Sequence, residues 1–494
     1  MSNIKIYSLL VVFFSLLTIP WLDKGLISLD ARGILFSAEN AINDGLYKPS
    51  RPPGHPSYEL YVLYPIGSIY KWFTNAPLNS LLYNTIQYLF SLSCCLWFYR
   101  ILLEIKKSKL LAILGSFALM LSPSFYKNSI DGDEFNQALI GFLIAFFFLV
   151  KCLKNEQHSI RKSILISSIS LALATGFRQE FIITFLIFPI FFTIHPKYRF
   201  NDYFKWVPFQ LVCGILVWLP VLFQNGFQVP TPMPIPDNDA LRSFNYKILV
   251  GSYKILFKGF TPAVLLFFLI AIWKYKKTII NSFKKTQLDT FILSTTILIG
   301  LTFLFLFYSY PYKADFLHPV FPLLIICFMC YTNKYWAKSL VILSAFSFIV
   351  SIEIAHGRKI GMPYISHGHG VSVIMEKTYY KKENLLTLIN KVPNGKNVFI
   401  ADLRSWELQY LANNNLVPLA RSENNPNTWR VNSQLLLIKD SSLVEKKKQL
   451  KDIVDQGYRI YIEKELFHTF FYRYETSKIL QESETYNGIE YKLL

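Results

Sequence analysis

Long apolar runs separated by short polar connections fill the first 355 residues of the chain. They fall at about 5–22, 80–101, 109–124, 135–153, 161–177, 179–194, 205–224, 260–274, 288–308, 316–332 and 338–355. A water-soluble helix would show a polar face every 3.6 residues. These runs do not, and each is close to the ~20 residues needed to cross a ~30 Å hydrocarbon core. The pattern predicts an α-helical polytopic membrane protein of about eleven spans. The stretch 58–73 reads differently. Tyr58, Tyr61, Tyr64, Tyr70 and Trp72 suit a helix lying in the headgroup layer. Beyond residue 375 the pattern changes again. Asn397–Asp402 and Tyr458–Ile462 read as strands, and Ser405–Leu411 as a helix start with Ser405 as cap. The predicted division is 1–355 as the membrane part, 356–375 as linker and 376–494 as a soluble α/β domain.

Composition adds less than distribution. The apolar fraction, 52%, barely exceeds the ~45–50% of ordinary globular proteins. The net charge of +19 would suggest nucleic acid on a soluble protein. Here the basic residues sit between the apolar runs, so the positive-inside effect explains them and no nucleic-acid partner is expected. With the N-terminus inside, the inside loops collect Arg100, Lys106, Lys107, Lys109, Lys151, Lys154, Arg161, Lys162, Lys197, Arg199, Lys205, Lys274, Lys276, Lys277, Lys284, Lys285, Lys334 and Lys338. Treating 58–73 as a span would move the 104–109 cluster outside. An odd number of spans makes the C-terminal domain extracytoplasmic. The first run follows Lys5, and no small-x-small cleavage site follows it, so it reads as a retained helix. All six cysteines lie in or beside apolar runs. Cys327 and Cys330 form a CxxC with no second pair to complete a zinc site.

Four outside loops carry polar groups that simple connections would not need. The first holds Asp30, Glu39 and Asp44, then Ser50-Arg51-Pro52-Pro53-Gly54-His55-Pro56. Its Pro and Gly density predicts a rigid turn presenting Arg51 and His55. Asp30 can also cap a helix over 31–43. The second loop ends in Asp131-Gly-Asp133-Glu134. A helix N-terminus favours acids, but three together call for a cation or a positive substrate group. Asp131 and Asp133 have a spacing that can hold a divalent ion, Mg or Mn, through oxygen. The third is the break at Arg178-Gln-Glu180, where the two charges can pair or Arg178 can meet an anionic head group. The fourth carries Lys313, Asp315 and His318 among interfacial tyrosines; a lysine there is placed to bind a lipid phosphate. The 225–259 loop is Pro-rich and carries Asp237, Asp239 and Arg242, an acceptor-side flap by position. His367 and His369 read as a plain loop before a metal pair.

This layout resembles the GT-C superfamily of membrane glycosyltransferases. One similar branch is the protein O-mannosyltransferase and aminoarabinose-transferase group, whose first loop has an acidic site and then a basic-Pro-Pro element; here these are Asp30 and Arg51-Pro52-Pro53. The other has a His-Pro-Pro-Gly-Tyr-Pro-Leu-Tyr loop, to which Pro52-Pro-Gly-His-Pro-Ser-Tyr58 is similar, and a Glu opening the fourth span, as Glu134 does. The likeness covers about residues 1–355 in layout and rests on these short motifs. It departs from many mannosyltransferases, which have Asp-Glu where this chain has Asp30-Ala31.

The resemblance implies a polyprenyl-phosphate sugar donor, membrane lipids around it, and a lipid, glycan or protein acceptor on the outer face. Asp30 would be the general base. Arg51, with Lys313 and Arg178, would bind the donor phosphate. His55, Asp131, Asp133, Glu134, Glu180, Asp315 and His318 would contact substrate, with Asp131 and Asp133 as the metal pair. Two other classes compete. A flippase of lipid-linked sugars would place charges at the midplane of broken helices. A glycan polymerase or ligase would carry a dominant Arg/His-rich outer loop, and 225–259 has no His.

Overall fold

The computed structural model describes residues 3–23, 29–45, 47, 49–50, 54–76, 78–131, 134–154, 159–224, 244–283, 286–309, 314–354 and 363–379, then the seven strands of the C-terminal part. The chain divides into two compact units, Met1–Glu376 and Lys377–Leu494.

All eleven apolar segments of the first unit contain helix. Six are long and apolar enough to cross a membrane: Asn3–Trp21, Ser80–Lys106, Phe135–Lys154, Ile160–Phe177, Phe200–Gln224 and Gln287–Tyr308. A seventh arises if Lys109–Met120 and Pro123–Ile130, bent by 67° at their break, act together. Gln179–Ile194 and Val320–Tyr331 are apolar but shorter. Local signals set several boundaries. Asn79, Ser108, Ser159 and Asn333 each accept a backbone N–H of the first turn as N-caps. Lys107 closes its helix in the left-handed conformation.

In chain order the elements that matter here are α1 (Asn3–Thr18), α2 (Leu29–Asp44), α3 (Pro56–Tyr58), α4 (Tyr64–Thr74), α5 (Ser80–Lys106), α6 (Lys109–Met120), α7 (Pro123–Asp131), α8 (Phe135–Lys154) and α9 (Ile160–Phe177). Helix α8 packs on α9 and α5 at the centre of the bundle, with 72% of its apolar window buried. The helix over 200–224 is peripheral, at 17%, and turns Leu211, Val212, Ile215, Leu216 and Phe223 outward. Apolar side chains on an outer face match a lipid solvent. The chain is an integral membrane protein.

The 58–73 stretch forms one helical rod with a widened π segment, Glu59–Leu63, between α3 and α4. Trp72 and Phe73 project outward from its end. Helix α2 packs against this rod through a stripe of Ala31, Ile34, Leu35, Ala38 and Ala41, the spacing of one helix face. Glu39 fastens the pair. Its carboxylate accepts Leu78 N–H at 2.8 Å and sits 3.5 Å from Lys71 Nζ.

The last expected span, 338–355, ends early. Its helix is Lys334–Ile349, and Val350–Ile354 is strand β1, paired antiparallel with β2 (Pro363–His367). The segment read as a linker thus contains β2 and the start of a helix, His369–Tyr379. In the second unit β3 (Asn397–Ala401), β4 (Leu419–Arg421), β5 (Thr428–Val431), β6 (Gln434–Ile438), β7 (Arg459–Glu463), β8 (Glu482–Tyr486) and β9 (Ile489–Leu493) make a seven-stranded sheet of order β4-β5-β6-β3-β7-β9-β8. Strand β3 is parallel to both β6 and β7. The helix expected at 405–411 lies outside the described residues.

Candidate functional site

A fully buried acid, Glu134, stands immediately before helix α8. A lone buried carboxylate is too costly to leave uncompensated. Arg178, at the end of α9, supplies the charge, with Nη1 at 3.3 Å from Glu134 Oε2. The same guanidinium donates to Glu180 Oε1 from Nη2 at 2.7 Å and from Nε at 3.0 Å. The Arg178–Glu180 pair that the sequence allowed is therefore present, and a second acid shares it. On the other side His55 Nε2 stands 3.8 Å from Glu134 Oε1. The His55 Nδ1–H donates to the Phe177 carbonyl at 2.7 Å. That bond fixes which ring nitrogen faces the acid. Close packing holds this side: Ser57 Oγ donates to Leu173 O at 2.9 Å, and a Cβ on Gly176 would stand 2.2 Å from Ser57 Oγ.

The fourth loop builds a second cluster. Asp315 is buried and accepts from Ser124 Oγ at 2.6 Å, Asn128 Nδ2 at 3.1 Å and Lys127 Nζ at 3.0 Å. His318 lies beside it, with Nδ1 at 3.0 Å from Ser124 Oγ and Nε2 facing Asn136 Oδ1 at 2.5 Å. Asn136 in turn donates to Ser91 Oγ at 2.7 Å and to Phe125 O at 3.2 Å. The helix that follows begins at Val320, so both residues precede it. Burial pulls the His318 pKa down to about 4, with Asp315 opposing. The imidazole is neutral at physiological pH.

Phe135 joins the two clusters. The Arg178 guanidinium lies 4.1 Å above its ring, a cation–π contact. The rings of Phe316 and His318 lie 6.0 and 5.9 Å from it. All four polar loops picked out in the sequence therefore meet around the start of α8.

Of the expected site residues, His55, Glu134, Arg178, Glu180, Asp315 and His318 come together here. Asp30 falls in the first turn of α2, one residue inside the helix rather than ahead of it; its side chain lies outside the described residues. Arg51, Asp133, Lys313, the side chain of Asp131 and the 225–243 part of the Pro-rich loop lie outside them too. Among the described residues no group of three or more His, Cys, Asp or Glu is placed to hold a metal. His369 is half-buried, with Nε2 2.9 Å from the Leu121 carbonyl oxygen. Sequence reasoning assigned no role to Ser124, Lys127, Asn128, Asn136 or Glu59. The last was visible as the one acid in an aromatic stretch that otherwise suits an interface.

No protein family and no curated protein matches the chain in sequence. Solved structures do match in fold. ArnT from Cupriavidus metallidurans in the apo state is 10% identical, with a TM-score of 0.58 over 98% of this chain and 97% of that one. The Archaeoglobus fulgidus oligosaccharyltransferase, in a complex with Zn and sulfate, is 10% identical with a TM-score of 0.52, over 95% of this chain and 69% of that one. Identity this low speaks for fold alone, and both neighbours are GT-C glycosyltransferases. The chain shares the fold of these two proteins.

Proposed function

We propose that the chain transfers a sugar from a polyprenyl-phosphate donor to a hydroxyl-bearing acceptor at the extracytoplasmic face of the membrane. The observation that carries this reading is the meeting of four polar loops at Glu134 and Phe135. A transporter needs its charges along a path; a transferase needs them gathered where two substrates meet.

In the proposed reaction Asp30 takes the proton of the acceptor hydroxyl. The oxygen attacks the anomeric carbon of the sugar, and the bond from that carbon to the phosphate oxygen breaks. The leaving polyprenyl phosphate gains negative charge, which Arg51 and Lys313 stabilise. Arg178 was a third expected phosphate ligand. It already carries two carboxylates, so we assign it to holding Glu134 and Glu180, which orient sugar or acceptor hydroxyls. Asp131 and Asp133 are the residues that would hold a divalent cation, which would supply positive charge beside the donor phosphate. No step above runs through it. The charge distribution along the chain supports an N-terminus on the cytoplasmic side and these loops opposite.

The test is Asp30→Asn in membranes supplied with labelled polyprenyl-phosphate sugar. Loss of a general base should lower the transfer rate by roughly 10²–10⁴-fold while donor binding persists. A wild-type rate would sink the assignment.

A further inference from the structure

Glu59 is a buried acid that the reaction above does not use. It is fully buried, and among the described residues it has no cation partner. Neutral donors serve it instead. Tyr47 Oη donates to Oε2, Ser50 N–H to Oε1 at 3.2 Å, and His55 N–H reaches Oε2 at 3.4 Å. Tyr47 and Ser50 stand before the Arg51-Pro52-Pro53 element and His55 after it. One carboxyl group thus gathers both ends of the loop.

The backbone shows the same closure independently. Gly54 has φ +98°, a conformation that favours glycine. A Cβ there would stand 2.9 Å from Pro49 Cβ and 3.0 Å from Tyr47 Oη. Glu59 also begins the widened π segment of the rod, a feature common at functional sites. Burial pushes its carboxyl pKa up, and the hydrogen bonds from Ser50, Tyr47 and His55 oppose that rise. A cost of this kind is hard to account for as rod stability, since an apolar residue would fill the position without it.

We propose that Glu59 is a positioning residue for donor binding: it holds Tyr47 and Ser50, which precede the Arg51-Pro52-Pro53 element in sequence, together with His55, which follows it. The inference rests on the glycosyl-transfer reading. Glu59 touches no substrate. Its effect passes through His55 to Glu134 and along the chain to the segment that carries Arg51.

The experiment measures initial rates of the full-length chain in nanodiscs with a polyprenyl-phosphate sugar as varied substrate. It compares Glu59→Gln, Tyr47→Phe and Arg51→Ala. Glu59→Gln keeps an acceptor for Ser50 N–H but presents an amide N–H to the His55 N–H. Donor kcat/KM should fall by about tenfold, equivalent to ~1.4 kcal/mol, divided between KM and kcat in the same proportion as in Arg51→Ala. Tyr47→Phe removes one hydroxyl and should move donor kcat/KM the same way by less. It carries the test if Glu59→Gln does not fold. The double variant should equal Glu59→Gln, because both remove the same contact. Lowered donor kcat/KM in Arg51→Ala with wild-type values in both loop variants would overturn the proposal and leave the function standing. So would a division between KM and kcat in Glu59→Gln unlike that of Arg51→Ala. An Arg51→Ala variant with normal donor KM and kcat would remove the phosphate role itself, and the Glu59 proposal with it.

Discussion

The two clusters around Phe135 manage buried charge differently. At Glu134 the charged side chains seen among the described residues are themselves buried. The Arg178 side chain is 8% exposed and that of Glu180 9%. At Asp315 the charged partner among the described residues is Lys127, whose side chain is 45% exposed, and the described hydrogen bonds around it come from neutral groups: Ser124, Asn128, His318 and Asn136. The first arrangement depends on keeping two acids and one guanidinium together away from water. The second keeps one foot in solvent and distributes its burden over uncharged hydrogen bonds. A buried ion cluster is costly to break, because removing one partner strands the other. A neutral network is cheaper to disturb but sensitive to where each proton sits.

That contrast gives the largest expected effect at Arg178. Arg178→Met would take the guanidinium away from both Glu134 and Glu180. Breaking such a pair costs about 3–5 kcal/mol, so thermal unfolding in detergent should begin well below the wild-type temperature. Adding Glu134→Gln should recover part of the loss, since one stranded charge goes. A single variant as stable as wild type would mean that water reaches the cluster and that the two regions do not differ.

Asp315→Asn should cost less. The amide keeps one acceptor for Ser124 or Asn128 but loses the Lys127 pair and one strong acceptor. Hydrogen bonds to charged groups contribute about 1.5–3 kcal/mol, and the exposure of Lys127 discounts its share toward the low end. The same unfolding measurement applies. A larger loss than in Arg178→Met would reverse the order argued here.

The sequence carried the helical frame well, because a run of ~20 apolar residues has few alternatives. It could not show where helix 334–349 would stop. Val350-Ser-Ile-Glu-Ile continues an apolar trend, and only its pairing with Pro363–His367 makes it a strand. The polar loops were legible one by one, from their acids and their Pro-Pro turn. Their meeting point was not. Phe135 reads as one more apolar residue of α8, and its role lies in Arg178, Phe316 and His318 arriving from two other segments. Glu59 was hidden for a related reason. Its partners, Tyr47, Ser50 and His55, are ordinary loop residues until the chain folds back on Gly54.

The smallest expected effect tests the neutral side most directly. The Asn136 amide nitrogen is committed to Ser91 and Phe125, so its oxygen must accept from His318 Nε2–H. The neutral ring then offers Nδ1 as a lone pair. Ser124 has one proton to share between that nitrogen, 3.0 Å away, and Asp315 Oδ1, 2.6 Å away. Protonating His318 would relieve this competition, and Asp315 and Lys127 are the charged groups nearest the change. Burial outweighs the relief and holds the folded pKa at about 4, below the ~6.5 of an unfolded histidine. The stabilisation from keeping His318 neutral is complete above about pH 6.5 and is lost as pH falls through that value toward 4. Between pH 7 and 5.5 the loss is about 1 kcal/mol. The unfolding temperature should therefore fall over this window, and His318→Gln, which cannot titrate, should flatten the slope. An unchanged slope in the variant would mean that His318 is charged in the folded protein, and the second cluster would then be an ion cluster like the first.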